Sequence, residues 1–232
     1  MGEIYDEQAE TFADKAPTLL WWEFIGKPAY DRNIGAFYNQ NTTTLGLGCA
    51  NASRVEQLLV DNGVLPENIT GVEISPDQVA DAKIRMPKAT FIQGDISTVE
   101  LEPDKFDLVT SNMVLEFLGP DELVQTFKNA YTALKPRGTL FFVTTHPKKM
   151  KEDGGLEKPG EFIVKFPWGG EGPNYYRTLE NFKDALEEAG FEIEEFEELQ
   201  MPIEAKEVDA DEYQRYADFG KVRLAVKATK PL

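Results

Sequence analysis

The chain has 232 residues, with 24 Lys and Arg against 41 Asp and Glu, a formal charge of −17. That length suits one large domain. The acidity argues against nucleic-acid partners and anionic membrane surfaces, both of which need clustered basic side chains. No run approaches the roughly 20 apolar residues of a membrane span, and the acidic MGEIYDEQAE start does not read as a signal peptide. One cysteine, Cys49, and one histidine, His146, leave no intrachain disulfide and no metal cluster. The expected setting is a reducing cytoplasm, with an organic cofactor and no metal.

Residues 1–40 read as a helical cap. TTTLGL is a first strand, and ASRVEQLLVDNG a helix stopped by glycine. ITGVEI is a second strand, followed by a helix with Ser75 as N-cap and Pro76 at its first position. ATFIQ and KFDLVTSN are the third and fourth strands. A helix over 120–135 leads to the fully apolar fifth strand TLFFVTT. Strands apolar on both faces, alternating with helices, predict a mostly parallel sheet covered on both sides.

Residues 41–145 thus form a core, and 146–176, rich in Gly, Pro and Lys, a long loop or small insertion. Residues 177–232 add a helix, a sixth strand FEIEEFEEL and a seventh, VRLAVKAT, expected to close the sheet antiparallel. Residues 180–212 hold 14 Asp or Glu and two Lys, a local acidic face that reads as solvated.

Ligands of such sheets bind outside the C-terminal strand ends. The first strand ends in Gly46-Leu47-Gly48-Cys49-Ala50-Asn51-Ala52, whose small residues admit close backbone approach. The second ends in Glu73-Ile74, a carboxylate able to accept from a ribose diol and an apolar cover for a base. Asp95-Ile96 follows the third, and Asn112-Met113 the fourth. Alone, each is equally a tight turn, an exposed acid or an N-cap. Their order and spacing together point to a nucleoside-bearing cofactor.

These segments resemble the class I S-adenosylmethionine-dependent methyltransferases of small-molecule type, those with a methyltransferase domain of the ubiquinone-biosynthesis kind. The resemblance is carried by TLGLGCANA (44–52), GVEISPDQVADAK, FIQGDIS, FDLVTSNMVLEFL and LKPRGTLFFV. It implies a Rossmann-like sheet, S-adenosylmethionine as cofactor and a small organic acceptor, the protein acting as a monomer or homodimer. It also implies that Glu73 holds ribose, that Asp95 contacts adenine, and that Tyr5 and Phe12 close over the methionyl end. The chain departs from the motif where Asp is usual, at Gly46, and where glycines are usual, at Ala50 and Ala52; the resemblance gives that Asp the role of supporting the methionyl amino group. Two other readings stand beside this one. One is a nicotinamide-dinucleotide oxidoreductase, from Gly46-x-Gly48-x-x-Asn51 with Glu73 downstream. The other is a non-catalytic binding or scaffold protein.

On the acceptor side, His146 after the fifth strand is a candidate general base or a loop-fixing residue, and Glu116 is a second candidate base. Trp21, Trp22, Trp168, Tyr175 and Tyr176 are expected to form an aromatic lid over the acceptor, with one of the tryptophan pair in the core.

Overall fold

The computed structural model describes residues 19–166 and 170–232. Trp168, Tyr5 and Phe12 lie outside those residues.

The first described helix, α1 (Lys27–Ile34), follows a wider turn at Trp22–Gly26. Then β1 (Thr44–Leu47), α2 (Val55–Asp61), β2 (Ile69–Glu73), α3 (Pro76–Arg85), β3 (Thr90–Gln93), β4 (Phe106–Asn112), α4 (Pro120–Ala133) and β5 (Leu134–Thr145) alternate as expected. Local chemistry sets the boundaries. The Ser75 hydroxyl accepts from the Gln78 N–H at 3.2 Å and Pro76 opens α3, so the helix starts where its free N–H groups are satisfied.

The described residues of the stretch 146–176, expected as a long loop or small insertion, carry secondary structure. They form α5 (Pro147–Gly154) and a two-stranded antiparallel ribbon, β6 (Gly160–Lys165) with β7 (Glu171–Tyr176). The ribbon's alternating burial explains why no single apolar run announced it. The chain continues through α6 (Leu179–Glu188), β8 (Glu192–Gln200), α7 (Ala210–Ala217) and β9 (Lys221–Thr229).

The seven-stranded sheet has the order β3-β2-β1-β4-β5-β9-β8. β1 to β5 pair in parallel, and β9 runs antiparallel between β5 and β8. The final strand is therefore interior to the sheet, which accounts for its buried, apolar sequence. Successive β5 residues serve opposite faces, as the pleat requires. Phe142 stacks on Phe127 and packs near Phe182 beneath α4 and α6, whereas Phe141 meets Tyr30 of α1 edge-on at 4.9 Å. Trp22 belongs to this second face, 6.0 Å from Tyr30.

Candidate cofactor and acceptor cavity

A cavity of about 880 Å³ opens above the C-terminal ends of the parallel strands, within the ordinary size of small-ligand pockets. The turn after β1 supplies Leu47, Gly48, Ala50 and Asn51 to it, and β2 and the segment after it supply Glu73 and Ile74. Asp95 and Ile96, with Asn112 and Met113 after β4, complete the same wall. The structure thus brings together the residues that the strand-end order selected, save Gly46 and the fully buried Ala52.

The first turn needs glycine at position 48: φ is +70°, and a Cβ there would lie 2.5 Å from Val114 Cγ2. Ala50 and Ala52 keep left-handed φ values of 47° and 58°. The turn therefore keeps a glycine-like shape at a cost of about 1 kcal/mol for each alanine. Glu73 braces this turn, its Oε2 accepting from the Ala50 N–H at 2.9 Å and its Oε1 from the Ser75 N–H at 3.0 Å. A carboxylate has further acceptor positions to offer a ligand. Asp95 accepts from the Ser97 N–H and hydroxyl through Oδ1, so it caps a turn while facing the cavity.

Gly46 does not reach the cavity surface. The space beside it is taken by the Glu56 carboxylate, which does line the cavity and would clash with any Cβ at position 46. Burial pushes the Glu56 carboxyl up to about 7, with Glu73 adding to the rise.

Several wall residues other than Asn112 escaped the sequence reading. Asn112 Oδ1, Asn174 Oδ1 and Gln78 Oε1 are buried on the cavity wall with no hydrogen-bond partner among the described residues. Arg54, Arg223 and Tyr216 also line it, contributed by α2's approach, the start of β9 and α7. The Arg54 and Arg223 guanidiniums each lie about 5 Å from the Trp21 ring centre (5.0 and 4.9 Å). Burial, then repulsion from Arg223, lowers Arg54 to about 10. No local pattern marks an isolated arginine in a strand as a wall residue.

The acceptor candidates divide. Glu116 lines the cavity on the turn Leu115–Phe117, its carboxylate receiving the Thr144 and Thr145 hydroxyls at 2.9 and 3.1 Å. Burial raises its carboxyl above the ordinary value. The buried Arg177 holds that turn by donating to the Leu115 and Leu118 carbonyls. His146 does not line the cavity. Its Nδ1 accepts from the Lys148 N–H and its Nε2 lies 2.8 Å from Glu198 Oε2, so the ring caps α5 and ties it to β8.

Trp21 lines the cavity and Trp22 is core. Tyr175 and Tyr176 line a separate cavity of about 270 Å³ against α4 and α6. Of the ribbon, Val164, Lys165 and Asn174 meet the main cavity instead.

Residues 45–142 match the family model described as a methyltransferase domain. Over that stretch the chain is similar to the methyltransferase-domain family. The chain is 29% identical over 92 residues to a malonyl-[acyl-carrier protein] O-methyltransferase of Enterobacter lignolyticus, covering 40% of this chain and 35% of that one. It is 28% identical over 130 residues to a trans-aconitate 2-methyltransferase of Escherichia coli, covering 54% and 48% respectively. The matched stretches span under half the length of these curated relatives. In fold it is similar to an S-adenosylmethionine-dependent methyltransferase from Mesorhizobium loti, with a TM-score of 0.70, 19% identity and coverage of 92% and 99%.

The cavity suits a nucleoside-bearing cofactor: a glycine-shaped turn, carboxylates at the end of β2 and in the turn after β3, and an orphaned Asn112 carbonyl lie along one wall. Among the described residues no group of His, Cys, Asp or Glu could hold a metal, and no helix is long and apolar enough to cross a membrane.

Proposed function

We propose that the protein transfers a methyl group from S-adenosylmethionine to a small organic acceptor bearing a carboxylate, as a cytoplasmic monomer or homodimer. The observation that carries methyl transfer is the convergence of the turn after β1, Glu73, Asp95 and Asn112 on one cavity. When bound, S-adenosylmethionine supplies an electrophilic methyl on a sulfonium. Glu73 would accept from the ribose hydroxyls, Ile74 and Ile96 would cover the adenine faces, and Asp95 would accept from its amino group. The family match favours this over the dinucleotide reading, which gives Asp95 no part.

The carboxylate follows from Arg223. Its side chain is 4% exposed, its Nε has no hydrogen-bond partner, and no carboxylate lies within ion-pair distance among the described residues. A buried guanidinium so placed favours an anion from the ligand. Both curated relatives are named for acceptors with free carboxylates, malonyl and trans-aconitate. The Trp21 ring shields the arginines from water and strengthens their electrostatic reach. A carboxylate acceptor is already ionised at neutral pH, so it needs no base; Glu116 is the wall group able to take a proton from an acceptor that carries one. The lone buried Cys49 accords with a reducing cytoplasm.

Calorimetry with S-adenosylmethionine, its demethylated product and a nicotinamide dinucleotide tests the cofactor. A panel of di- and tricarboxylates, read by release of S-adenosylhomocysteine, tests the acceptor. Cofactor binding without transfer to any acceptor would mark a non-catalytic binding protein.

A further inference from the structure

We infer that the Glu56 carboxylate is a binding group for a ligand ammonium and, resting on the methyltransferase reading above, that it receives the α-ammonium of the cofactor's methionyl end. Glu56 lies in the first turn of α2, is 4% exposed and faces the cavity. Among the described residues no cation lies within ion-pair distance of it, and its own backbone N–H is the one hydrogen-bond donor to its carboxylate. A buried carboxylate in that state is costly and is neutralised either by a proton or by a cation arriving with a ligand.

Its location says which cation. The carboxylate stands where a side chain at position 46 would project, beneath the turn that holds Gly48 and Ala50. Gly46 is the position at which the resembled motif carries Asp. Here β1 leaves the space empty and the next helix fills it with the same functional group, one residue type longer. The exchange explains both departures at once: Gly46 is required because Glu56 occupies its side-chain volume, and the turn keeps an acid without one in its own sequence.

The titratable groups around Glu56 are Glu73 on β2, the Cys49 thiol in the turn and the Tyr30 phenol on α1. Burial pushes Cys49 and Tyr30 well above their ordinary values, so both stay neutral. Ionised Glu56 is the form that binds an ammonium. Affinity for a ligand carrying one should therefore rise between pH 6 and 8.

Two ligands separate this role from a structural one: S-adenosylhomocysteine, and 5′-methylthioadenosine, which has the same adenosine and thioether and no amino-acid group. In calorimetric titrations at pH 8, Glu56→Gln should lower affinity for the first at least tenfold and change the second less than twofold. The wild-type pH rise should vanish in Glu56→Gln and be absent for 5′-methylthioadenosine. The double variant Gly46→Asp/Glu56→Ala should recover most of the loss, because removing the longer side chain opens the space at position 46. Equal losses for both ligands, or none for either, would overturn the inference while leaving the methyltransferase reading standing. Wild-type protein that binds neither ligand would remove that reading, and the inference with it.

Discussion

His146 Nε2 lies 2.8 Å from Glu198 Oε2, joining the first turn of α5 to β8 across the end of β9. With Nδ1 accepting from the Lys148 N–H, Nε2 carries the proton and donates it to the carboxylate. Both ring nitrogens are committed to holding α5, so His146→Ala should cost about 1 kcal/mol of stability, the ordinary worth of a cap, with cofactor affinity unchanged. Burial keeps the His146 pKa below its ordinary value despite Glu198. The unfolded chain then binds the extra proton more readily, so this residue's contribution is present above about pH 6.5 and fades as pH falls below it. Urea denaturation of wild type and variant at pH 8 and pH 5.5 should show the gap narrowing in acid.

Ala50 adopts a φ of 47°. Ala50→Gly removes that strain and should stabilise the protein by about 0.5–1 kcal/mol. Thermal denaturation reads it, and a lower melting temperature would mean that the methyl contributes packing that outweighs the strain.

Glu73 serves the turn and the cavity together. Glu73→Ala removes the acceptor for the Ala50 and Ser75 N–H groups, so S-adenosylhomocysteine affinity should fall at least tenfold and stability by about 1–3 kcal/mol. Calorimetry and denaturation on the same preparation separate the two losses.

Arg223 lines the cavity and, on the proposed function, faces the acceptor, so Arg223→Gln should raise KM for a carboxylate acceptor at least tenfold and leave S-adenosylhomocysteine affinity within twofold. Steady-state kinetics with a saturating cofactor shows the split. A fall in cofactor affinity instead would assign the guanidinium to the cofactor's own carboxylate.

The raised Glu56 carboxyl, at about 7, also predicts a stability effect. Its folded pKa exceeds its unfolded value, so the group favours folding only while protonated, and stability is lost as pH rises from about 4.5 through 7. Glu56→Gln should therefore be more stable than wild type by about 3 kcal/mol at pH 8, with the difference vanishing near pH 4.5. Denaturant midpoints across that range measure it.

The cofactor wall was legible because its chemistry sits in short, contiguous turns at strand ends: Glu73-Ile74 and Asp95-Ile96 are placed by the strands before them. The acceptor wall was not, because it is assembled across the sheet. Arg223 reaches the cavity through its pairing with Thr145, and Asn174 through the pleat of a ribbon whose strands alternate in burial. The same pleat puts Tyr175 on the opposite face, while Tyr176 shares the face of Asn174 but lies further along β7, at the smaller cavity. His146 shows the limit of proximity in sequence: Thr145 lines the cavity and the next residue turns away to cap a helix. The exchange between Gly46 and Glu56 was hidden because it joins a strand to the following helix, and no spacing rule links a missing side chain to its replacement.

The placement of β9 between β5 and β8 divides two kinds of information within one strand. Its backbone ladders hold the sheet together, and any residue can supply those hydrogen bonds. The side chain of Arg223 at its cavity end lines the cavity and takes no part in the ladder. Acceptor choice can therefore be rewritten at that position without reopening the question of whether the sheet forms. A scaffold arranged in this way can change its substrate by single substitutions while its cofactor chemistry stays as it was.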